Sequence, residues 1–341
     1  MDTIILQQPG RFELIDTPHP PAPGLGEALV RVRCVGICGT DWHAYHGRQP
    51  FFTYPRILGH ELGVEVLKIN DPRSSLVAGD RCAVEPYLNC GRCIACRAGK
   101  TNCCVAMRVL GVHIDGGMRQ YLLVPADKLH KSATLSLDQL ALVETLAIGC
   151  HAVNRAAVQK GEWVLIVGAG PIGLSAMPFV VEAGGRLIVA DVSPARLDFC
   201  RRWVGVQHCI DARQDIAAAL ADISGGDLPT LVIDATGNAQ SMARTFDYVA
   251  HGGRIVFVGL FQGELAFNDP NFHRREITLL ASRNAQSGDF PRIIDLIERG
   301  RIDTRPWITH RVQHTQFVQT LPKWLAPDAG VLKAAVEYPA T

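Results

Sequence analysis

The sequence predicts an α/β protein with two domains, one rich in short β-strands and one built on a doubly wound parallel sheet. Three observations lead to this prediction. The chain has 341 residues, which is too long for one compact core and suits two. Short runs that alternate apolar and polar residues, typical of half-buried strands, fill its first third. After about Gly161, apolar runs alternate with helical segments, as in parallel sheets.

The β-rich part contains expected strands separated by Pro and Gly, at residues 27–37, 62–67 and 81–84. In the later part, the expected strands are at residues 163–167, 186–190, 231–233, 254–258 and 277–281. Expected helices cover residues 173–183, 194–204 and 289–299, the last of them amphipathic. The tail no longer repeats the β-α unit. We therefore expect residues 1–150 and 288–341 to form one domain that is interrupted by a second domain, residues 151–287.

Composition favours a small-molecule partner. Charged residues make up 20% of the chain, the formal net charge is +1, and no basic run predicts nucleic acid or an anionic membrane as partner. No segment approaches the ~18 uninterrupted apolar residues of a membrane-spanning helix. The first ten residues lack the pattern of a secretory signal, so we expect a cytoplasmic protein. Its 11 cysteines should then stay reduced, which favours metal ligation or catalysis over disulfides.

A glycine-rich loop predicts a dinucleotide site. The loop follows an apolar strand and opens a helix, and it reads Gly168, Ala169, Gly170, Pro171, Ile172, Gly173. The first glycine permits a tight turn, the second lets the backbone approach a pyrophosphate, and the third lets helix and strand pack closely. Asp191 ends the next strand at the offset of the ribose-binding carboxylate, so we expect NAD rather than NADP. Arg196 nearby leaves NADP as the alternative.

A cluster of cysteines predicts a structural zinc site. Cys90, Cys93, Cys96 and Cys104 occur within fifteen positions, in a lobe at about residues 88–106. Four thiolates at this spacing can close a tetrahedron around zinc and leave no position open for a substrate. Disulfides are the alternative, and Cys103 is a second candidate for the fourth ligand.

A second, dispersed set points to another metal site. Cys38 stands in the run Cys-Gly-Thr-Asp-Trp-His, and His60 and Glu61 follow a glycine. Singly, such residues are more often a buried thiol and an ordinary turn histidine.

Together, these motifs and their order resemble the zinc-dependent medium-chain alcohol and polyol dehydrogenases over essentially the whole chain. The resemblance implies a GroES-like barrel, a Rossmann domain and a catalytic zinc between them, with two zinc ions per subunit and a homodimer or homotetramer. It implies Cys38 and His60 as zinc ligands, with Glu144 or Glu61 as the third. Cys150 is a rival ligand, for which a buried helix position is the alternative. Asp41 would orient His60.

The resemblance also implies a path for the proton released from the substrate. The proton would pass from the Thr40 hydroxyl to the nicotinamide ribose and then to His43, which would release it to solvent. The nicotinamide amide is expected to contact the backbone at Val258 and Ser282, at the ends of the last two strands expected in the parallel sheet. Lys333 is expected to reach the pyrophosphate.

In having two glutamates near the expected zinc, the sequence resembles the sorbitol, threonine and sugar-acid dehydrogenase branches of the family. The segments at residues 47–56, 111–117 and 259–265 look most like bacterial L-galactonate and L-gulonate 5-dehydrogenases, which oxidise a secondary hydroxyl of a hexonate. A carboxylate substrate should meet a cation, and the candidates are Arg48, Arg108 and Arg283. A polyol or L-threonine dehydrogenase is the alternative, and a non-catalytic binding protein with this fold is the remote one.

Overall fold

The computed structural model describes residues 1–49, 52–326 and 328–339. The chain divides into two compact units. Unit 1 comprises Met1–Glu144 and Gln286–Thr341, and unit 2 comprises Thr145–Ala285. In the described part of the chain, no helix is both long and apolar enough to cross a membrane.

The helices are numbered in chain order: α1 Gly39–Tyr45, α2 Ile94–Arg97, α3 Leu137–Ala156, α4 Pro171–Glu182, α5 Pro194–Val204, α6 Ile216–Ser224, α7 Ala239–Tyr248, α8 Asp269–Arg274, α9 Asp289–Glu298 and α10 Phe317–Trp324. The strands outside the parallel sheet are β1 Asp2–Gln8, β2 Arg11–Asp16, β3 Glu27–Ile37, β4 Glu61–Asn70, β5 Arg81–Val84, β6 Tyr87–Leu88, β7 Arg108–Val109, β8 Tyr121–Pro125, β9 Leu129–Lys131, β16 Ile308–Gln313 and β17 Lys333–Glu337. The parallel strands are β10 Trp163–Val167, β11 Arg186–Asp191, β12 His208–Asp211, β13 Leu231–Asp234, β14 Arg254–Phe257 and β15 Thr278–Ala281.

Unit 1 is organised around the long strand β3. Buried and half-buried residues alternate along most of it, because one face packs on the core. Strand β4 pairs antiparallel with one edge of β3. On the other edge, β8 pairs with residues 27–31 and β17 with residues 34–37. The main sheet runs β16-β17-β3-β4-β5-β9, so the C-terminal segment completes the sheet that the N-terminal segment begins.

Unit 2 is a six-stranded sheet with the order β12-β11-β10-β13-β14-β15, in which all neighbours are parallel. Strand β10 is buried except at its first residue, as expected when helices cover both faces. The strand order reverses between β10 and β13, and ligands of such sheets bind at the carboxyl edge near this reversal. The predicted fold class, a β-rich domain with a doubly wound parallel sheet, is confirmed.

Candidate active site and metal centres

Cys38, His60 and Glu61 come together in unit 1. Glu61, the first residue of β4, pairs across the sheet with Gly36, and Cys38 lies two residues beyond Gly36, where β3 gives way to α1. One potential ligand atom from each of the three side chains lies within 4.8 Å of the other two. His60 and Glu61 are buried, and Cys38 is half-buried. The pairing of β3 with β4 therefore creates this group.

The donor group fits a zinc ion. It offers sulfur, nitrogen and oxygen, the three donor types that zinc accepts in proteins. Glu61 Oε2 is buried and has no hydrogen-bond partner among the described residues. It lies over Gly36, where a Cβ atom would come within 2.1 Å of it. A buried carboxylate oxygen without a partner is costly, and a metal ion would satisfy it.

The charges around His60 favour a cation. Burial alone would lower the pKa of the imidazole, but the nearby Cys38 and Asp41 outweigh burial and raise this pKa well above its usual value. A group of anionic donors that stabilises a proton on its histidine also stabilises a metal ion that replaces the proton.

Asp41 forms a hydrogen bond with the backbone and lies close to His60. Its Oδ2 accepts a hydrogen bond of 2.9 Å from the Cys38 amide at the start of α1. Its Oδ1 lies 3.9 Å from His60 Nδ1, beyond hydrogen-bond distance. Asp41 therefore caps the helix that carries Thr40 and His43, and its second oxygen lies beside His60 without a hydrogen bond between them.

Glu144 is buried near the donor group but outside it. Its carboxylate accepts a hydrogen bond from the hydroxyl of Tyr87, on β6. Burial raises the pKa of Glu144, and the negative charge of Glu61 adds to the effect. The tight group of candidate ligands in the described chain contains Glu61 and not Glu144.

Cys90, Cys93, Cys96 and Cys104 form the second metal-binding group. Cys93 Sγ lies 3.4 Å from Cys96 Sγ, and the Cys90 amide donates to Cys104 Sγ at 3.2 Å. Cys93 precedes the short helix α2, and backbone amides directed at its sulfur lower its pKa to about 6. Desolvation and the neighbouring thiols of Cys93 and Cys104 instead raise the pKa of Cys96 to about 11, so the case for zinc rests on the clustering of the four sulfurs. The neighbouring Cys103 is exposed and outside this group.

The glycine-rich loop joins β10 to α4 in unit 2. Gly168 has a φ of +96°, a conformation that favours glycine. A Cβ atom at Gly173 would lie 1.8 Å from the Gly168 carbonyl oxygen, so only glycine allows the helix this close to the turn. At Gly170, by contrast, the nearest atom to an added Cβ would be Arg196 Nη1 at 3.7 Å. Pro171, which has no amide hydrogen, begins the helix.

Asp191 ends β11 beside this loop. Its Oδ2 accepts a hydrogen bond of 2.6 Å from the Ala169 amide, and its Oδ1 accepts one of 2.7 Å from Ser193. A carboxylate has about four lone-pair sites, so two backbone contacts leave capacity for ribose hydroxyls. Arg196 lies near Gly170, where phosphate groups would approach the helix N-terminus.

Comparison with known proteins identifies the family. Residues 24–134 match the "Alcohol dehydrogenase GroES-like domain" and residues 171–299 match the "Zinc-binding dehydrogenase" family. The chain is 42% identical over 339 residues to the L-galactonate-5-dehydrogenase of Escherichia coli K12, covering 99% of each chain. This chain belongs to the zinc-type alcohol dehydrogenase family.

Two further relatives extend the comparison. A 2-dehydro-3-deoxy-L-galactonate 5-dehydrogenase of Pseudoalteromonas atlantica is 32% identical and covers 85% of this chain and 86% of its own. The crystal structure of the alcohol dehydrogenase RspB from E. coli CFT073, complexed with NADH, has a TM-score of 0.91 and 29% identity, with 99% of each chain covered. The similarity therefore extends over nearly the full length of the zinc-type dehydrogenase.

The remaining predicted site residues of the zinc-type dehydrogenase are spread over both units. Thr40 is half-buried and His43 exposed, both on α1. Val258 and Ser282 directly follow β14 and β15 at the carboxyl edge of the parallel sheet. All three candidate substrate-binding arginines are exposed, with Arg48 and Arg108 in unit 1 and Arg283 in unit 2. Pro50 and Phe51, within the 47–56 segment, lie outside the described residues.

The structure does not support the pyrophosphate assignment of Lys333. Its side chain is 1% exposed, and its ammonium contacts Glu61. The reason is the sheet order, in which β17 and β4 flank β3, so that this lysine faces the metal-binding group. Cys150 is buried in α3 and accepts a weak contact of 3.7 Å from Asn154 Nδ2.

Sequence reasoning missed three contributors to the site. Lys333 was assigned to another role, while Tyr87 and Gly36 were not singled out. Gly36 precedes Cys38 by two residues, and that proximity was the one local signal available. Tyr87 and Lys333 act through contacts that span 57 and 272 residues, which no local pattern reveals.

Proposed function

We propose that this zinc-type dehydrogenase oxidises a secondary hydroxyl of a hexonate, of the L-galactonate or L-gulonate type, with NAD as acceptor. The buried donor group of Cys38, His60 and Glu61 supports the reaction class. The 42% identity with the E. coli L-galactonate-5-dehydrogenase supports the substrate class.

In this proposal unit 1 is the catalytic domain. It holds one zinc through Cys38 and His60, with Glu61 or Glu144 as the third ligand. A second, structural zinc is held by the four cysteines of the 88–106 lobe. When bound, the catalytic zinc acts as a Lewis acid on the substrate hydroxyl, and NAD accepts the hydride.

Residues of α1 would carry the substrate proton away. Thr40 and His43 are three residues apart on this helix and so lie on one face. The half-buried Thr40 Oγ1 can accept a proton inside the site, and the exposed His43 imidazole can release it to water. Asp41 maintains this arrangement because its carboxylate caps the same helix.

Unit 2 would bind NAD. Gly170, Pro171 and the amides at the start of α4 would meet the pyrophosphate, and Asp191 would accept the adenosine ribose hydroxyls. Val258 and Ser282 stand at the carboxyl edge of the sheet, where their backbone groups can hold the nicotinamide amide. The Ser282 hydroxyl is buried and has no hydrogen-bond partner in the described part of the protein, so it is available as a further contact.

The first test is NADH formation by the zinc-loaded protein with L-galactonate, L-gulonate, sorbitol, xylitol and L-threonine. The proposal predicts the highest kcat/KM for a hexonate. Preference for an uncharged polyol or for threonine would keep the reaction class and reject the substrate class. Absence of turnover with all five would contradict the proposed function.

Arginine variants test how the carboxylate is bound. Arg48→Gln, Arg108→Gln and Arg283→Gln are compared with Arg299→Gln, a control whose side chain is 71% exposed. A charge-assisted contact contributes about 1.5–3 kcal/mol, so the correct arginine should raise KM for a hexonate by roughly 10–100-fold. Its effect on an uncharged polyol should be small. If all three behave like the control, another group binds the carboxylate.

Location and assembly are also part of the proposal. A cytoplasmic location is proposed on the absence of a secretory-signal pattern in the first ten residues. A homodimer or homotetramer is proposed on the family resemblance, and light scattering of the purified protein would test it.

A further inference from the structure

A lysine and a glutamate form a buried ion pair at the metal-binding group. The ammonium of Lys333 contacts Glu61 Oε1, and each side chain is only 1% exposed. Removing both charges from water is costly, and such a pair persists only where the partners compensate each other. Nothing in the proposed reaction uses this lysine.

The strand register explains why these two side chains meet. Glu61 on β4 and Ala335 on β17 both pair with Gly36, from opposite edges of β3. Lys333 lies two residues before Ala335 and so shares its face of the sheet. Because Gly36 has no side chain, the space above β3 is free for the Glu61 carboxylate. The lysine and the glutamate meet across the strand that leads to Cys38.

The two oxygens of Glu61 have different surroundings. Oε1 is held by the ammonium, whereas Oε2 has no hydrogen-bond partner among the residues described. The Glu61 carboxylate is also the oxygen donor of the group formed with Cys38 and His60. A single carboxylate is thus shared between a fixed cation and a metal-binding position.

We infer that Lys333 is a positioning residue of the metal centre, whose ammonium shares the Glu61 carboxylate and so keeps it an exchangeable rather than a permanent metal ligand. Sharing lowers the negative charge that Glu61 offers to a metal ion. A catalytic zinc keeps three protein ligands and one open position. If Cys38, His60 and Glu144 supply the three, a permanently bound Glu61 would occupy the position that the substrate needs. This inference rests on the proposed zinc site but not on the identity of the alcohol.

The test is a mutant cycle of Lys333→Met, Glu61→Gln and the double variant, with Lys333→Arg as the charge-conserving variant. Metal affinity is measured by chelator competition with Zn²⁺, and coordination by the visible absorption of the Co²⁺-substituted protein, which weakens as coordination number rises. Lys131→Met is the matched control, because Lys131 also pairs with a carboxylate, that of Asp80, but with a side chain that is 44% exposed.

Lys333→Met should bind zinc at the catalytic site at least ~10-fold more tightly, with weaker Co²⁺ absorption and a lower kcat. Adding Glu61→Gln should reverse the gain in affinity, because the released carboxylate is gone. Lys333→Arg and Lys131→Met should resemble the unmodified protein in metal affinity and spectrum. Unchanged or weaker zinc binding in Lys333→Met, or a gain that survives Glu61→Gln, would overturn the inference.

A metal-free measurement covers the case of an unstable variant. Without metal, Lys333→Met leaves the Glu61 charge buried and uncompensated, so its Tm should fall, and Glu61→Gln in the same background should restore part of it. If Lys333→Met cannot be purified, Lys333→Gln takes its place with the same expectations. Zinc affinity, Co²⁺ absorption and Tm are all measured without substrate, so a wrong hexonate assignment would leave these three readouts unaffected.

Discussion

The glycine-rich loop of unit 2 allows a matched pair of substitutions with opposite consequences. In Gly173→Ala, the new Cβ would start 1.8 Å from the Gly168 carbonyl oxygen, so relief to 3.0 Å requires a shift of at least 1.2 Å between loop and helix. Overpacking of this kind costs about 1–3 kcal/mol, partly offset by the better helix propensity of Ala. We expect a net loss of about 2 kcal/mol in the free energy of unfolding.

Gly170→Ala should leave the stability of the fold unchanged and weaken the binding of NAD. Gly170 has a φ of −74°, which alanine adopts, and the nearest atom to the new Cβ is 3.7 Å away. We therefore expect the free energy of unfolding to change by less than ~0.5 kcal/mol. The methyl group would stand where the pyrophosphate approaches the helix, and loss of a charge-assisted contact weakens binding by roughly 10–100-fold.

Urea unfolding without cofactor and calorimetric titration with NAD separate the two effects. The pair of outcomes is the test, because a generally disruptive loop change would lower stability in both variants. Gly173→Ala with unchanged stability would refute the packing argument. Gly170→Ala with unchanged NAD affinity would refute the assignment of the loop to the pyrophosphate.

Three further predictions address other parts of the protein. Asp191→Ala should reduce the preference for NAD over NADP, measured as the ratio of kcat/KM values, by roughly 10–100-fold, and an unchanged ratio would remove Asp191 from the ribose site. Burial opposes ionisation of Glu162, yet hydrogen bonds from Arg254, Thr230 and Gln159 lower its pKa below the usual 4.5. The stabilisation of the folded state by the ionised Glu162 is therefore complete above pH 4.5 and is lost as the pH falls through the folded-state pKa. Glu162→Gln should lower the free energy of unfolding in urea by about 1–3 kcal/mol at pH 7. A loss of the same size in acid would contradict this prediction. Tyr87→Phe leaves the buried Glu144 without its donor and should cost about 1–3 kcal/mol by the same method, whereas a neutral result would mean that Glu144 finds another partner.

Features encoded in short stretches were predictable from the sequence. The strand at residues 27–37 and the helix at 194–204 were predicted with the bounds that the structure has. Alternating polarity marks a strand with one buried face, and Pro at the start with Gly at the end marks a helix. The cysteine spacing and the glycine-rich loop are also local, and their side chains cluster in the structure.

A buried helix position was predicted for Cys150 as one alternative, but the extent of the long helix α3 was not predicted. Nearly every residue from Leu140 to Cys150 is buried, so the segment shows no polar face and no helical period in its sequence. Apolar runs of this kind do not distinguish a buried helix from a buried strand. The N-terminal hairpin of β1 and β2 and the terminal strands β16 and β17 were also not predicted.

The environment of Lys333 was not predictable from local sequence. The sequence around this lysine is a short apolar segment near the C-terminus, and it does not indicate which strand the segment will pair with. Its burial follows from the pairing of β17 with β3, a contact between distant parts of the chain. Similarly, the hydrogen bond from the Cys38 amide to one oxygen of Asp41 was not predicted, while the other oxygen lies 3.9 Å from the Nδ1 of His60, the residue that Asp41 is expected to orient.

The place of β17 in the first sheet has a consequence for biosynthesis. Contacts between this end of the chain and β3 span as many as 305 residues, for example from Arg33 to Tyr338. Unit 2 is continuous in sequence and can fold while the ribosome is still adding the tail, whereas unit 1 must wait for it. Until then, Glu61 lacks its ion-pair partner Lys333. The pairing of β3 with β4 can therefore bring Cys38, His60 and Glu61 together before the lysine that shares the Glu61 carboxylate is in place.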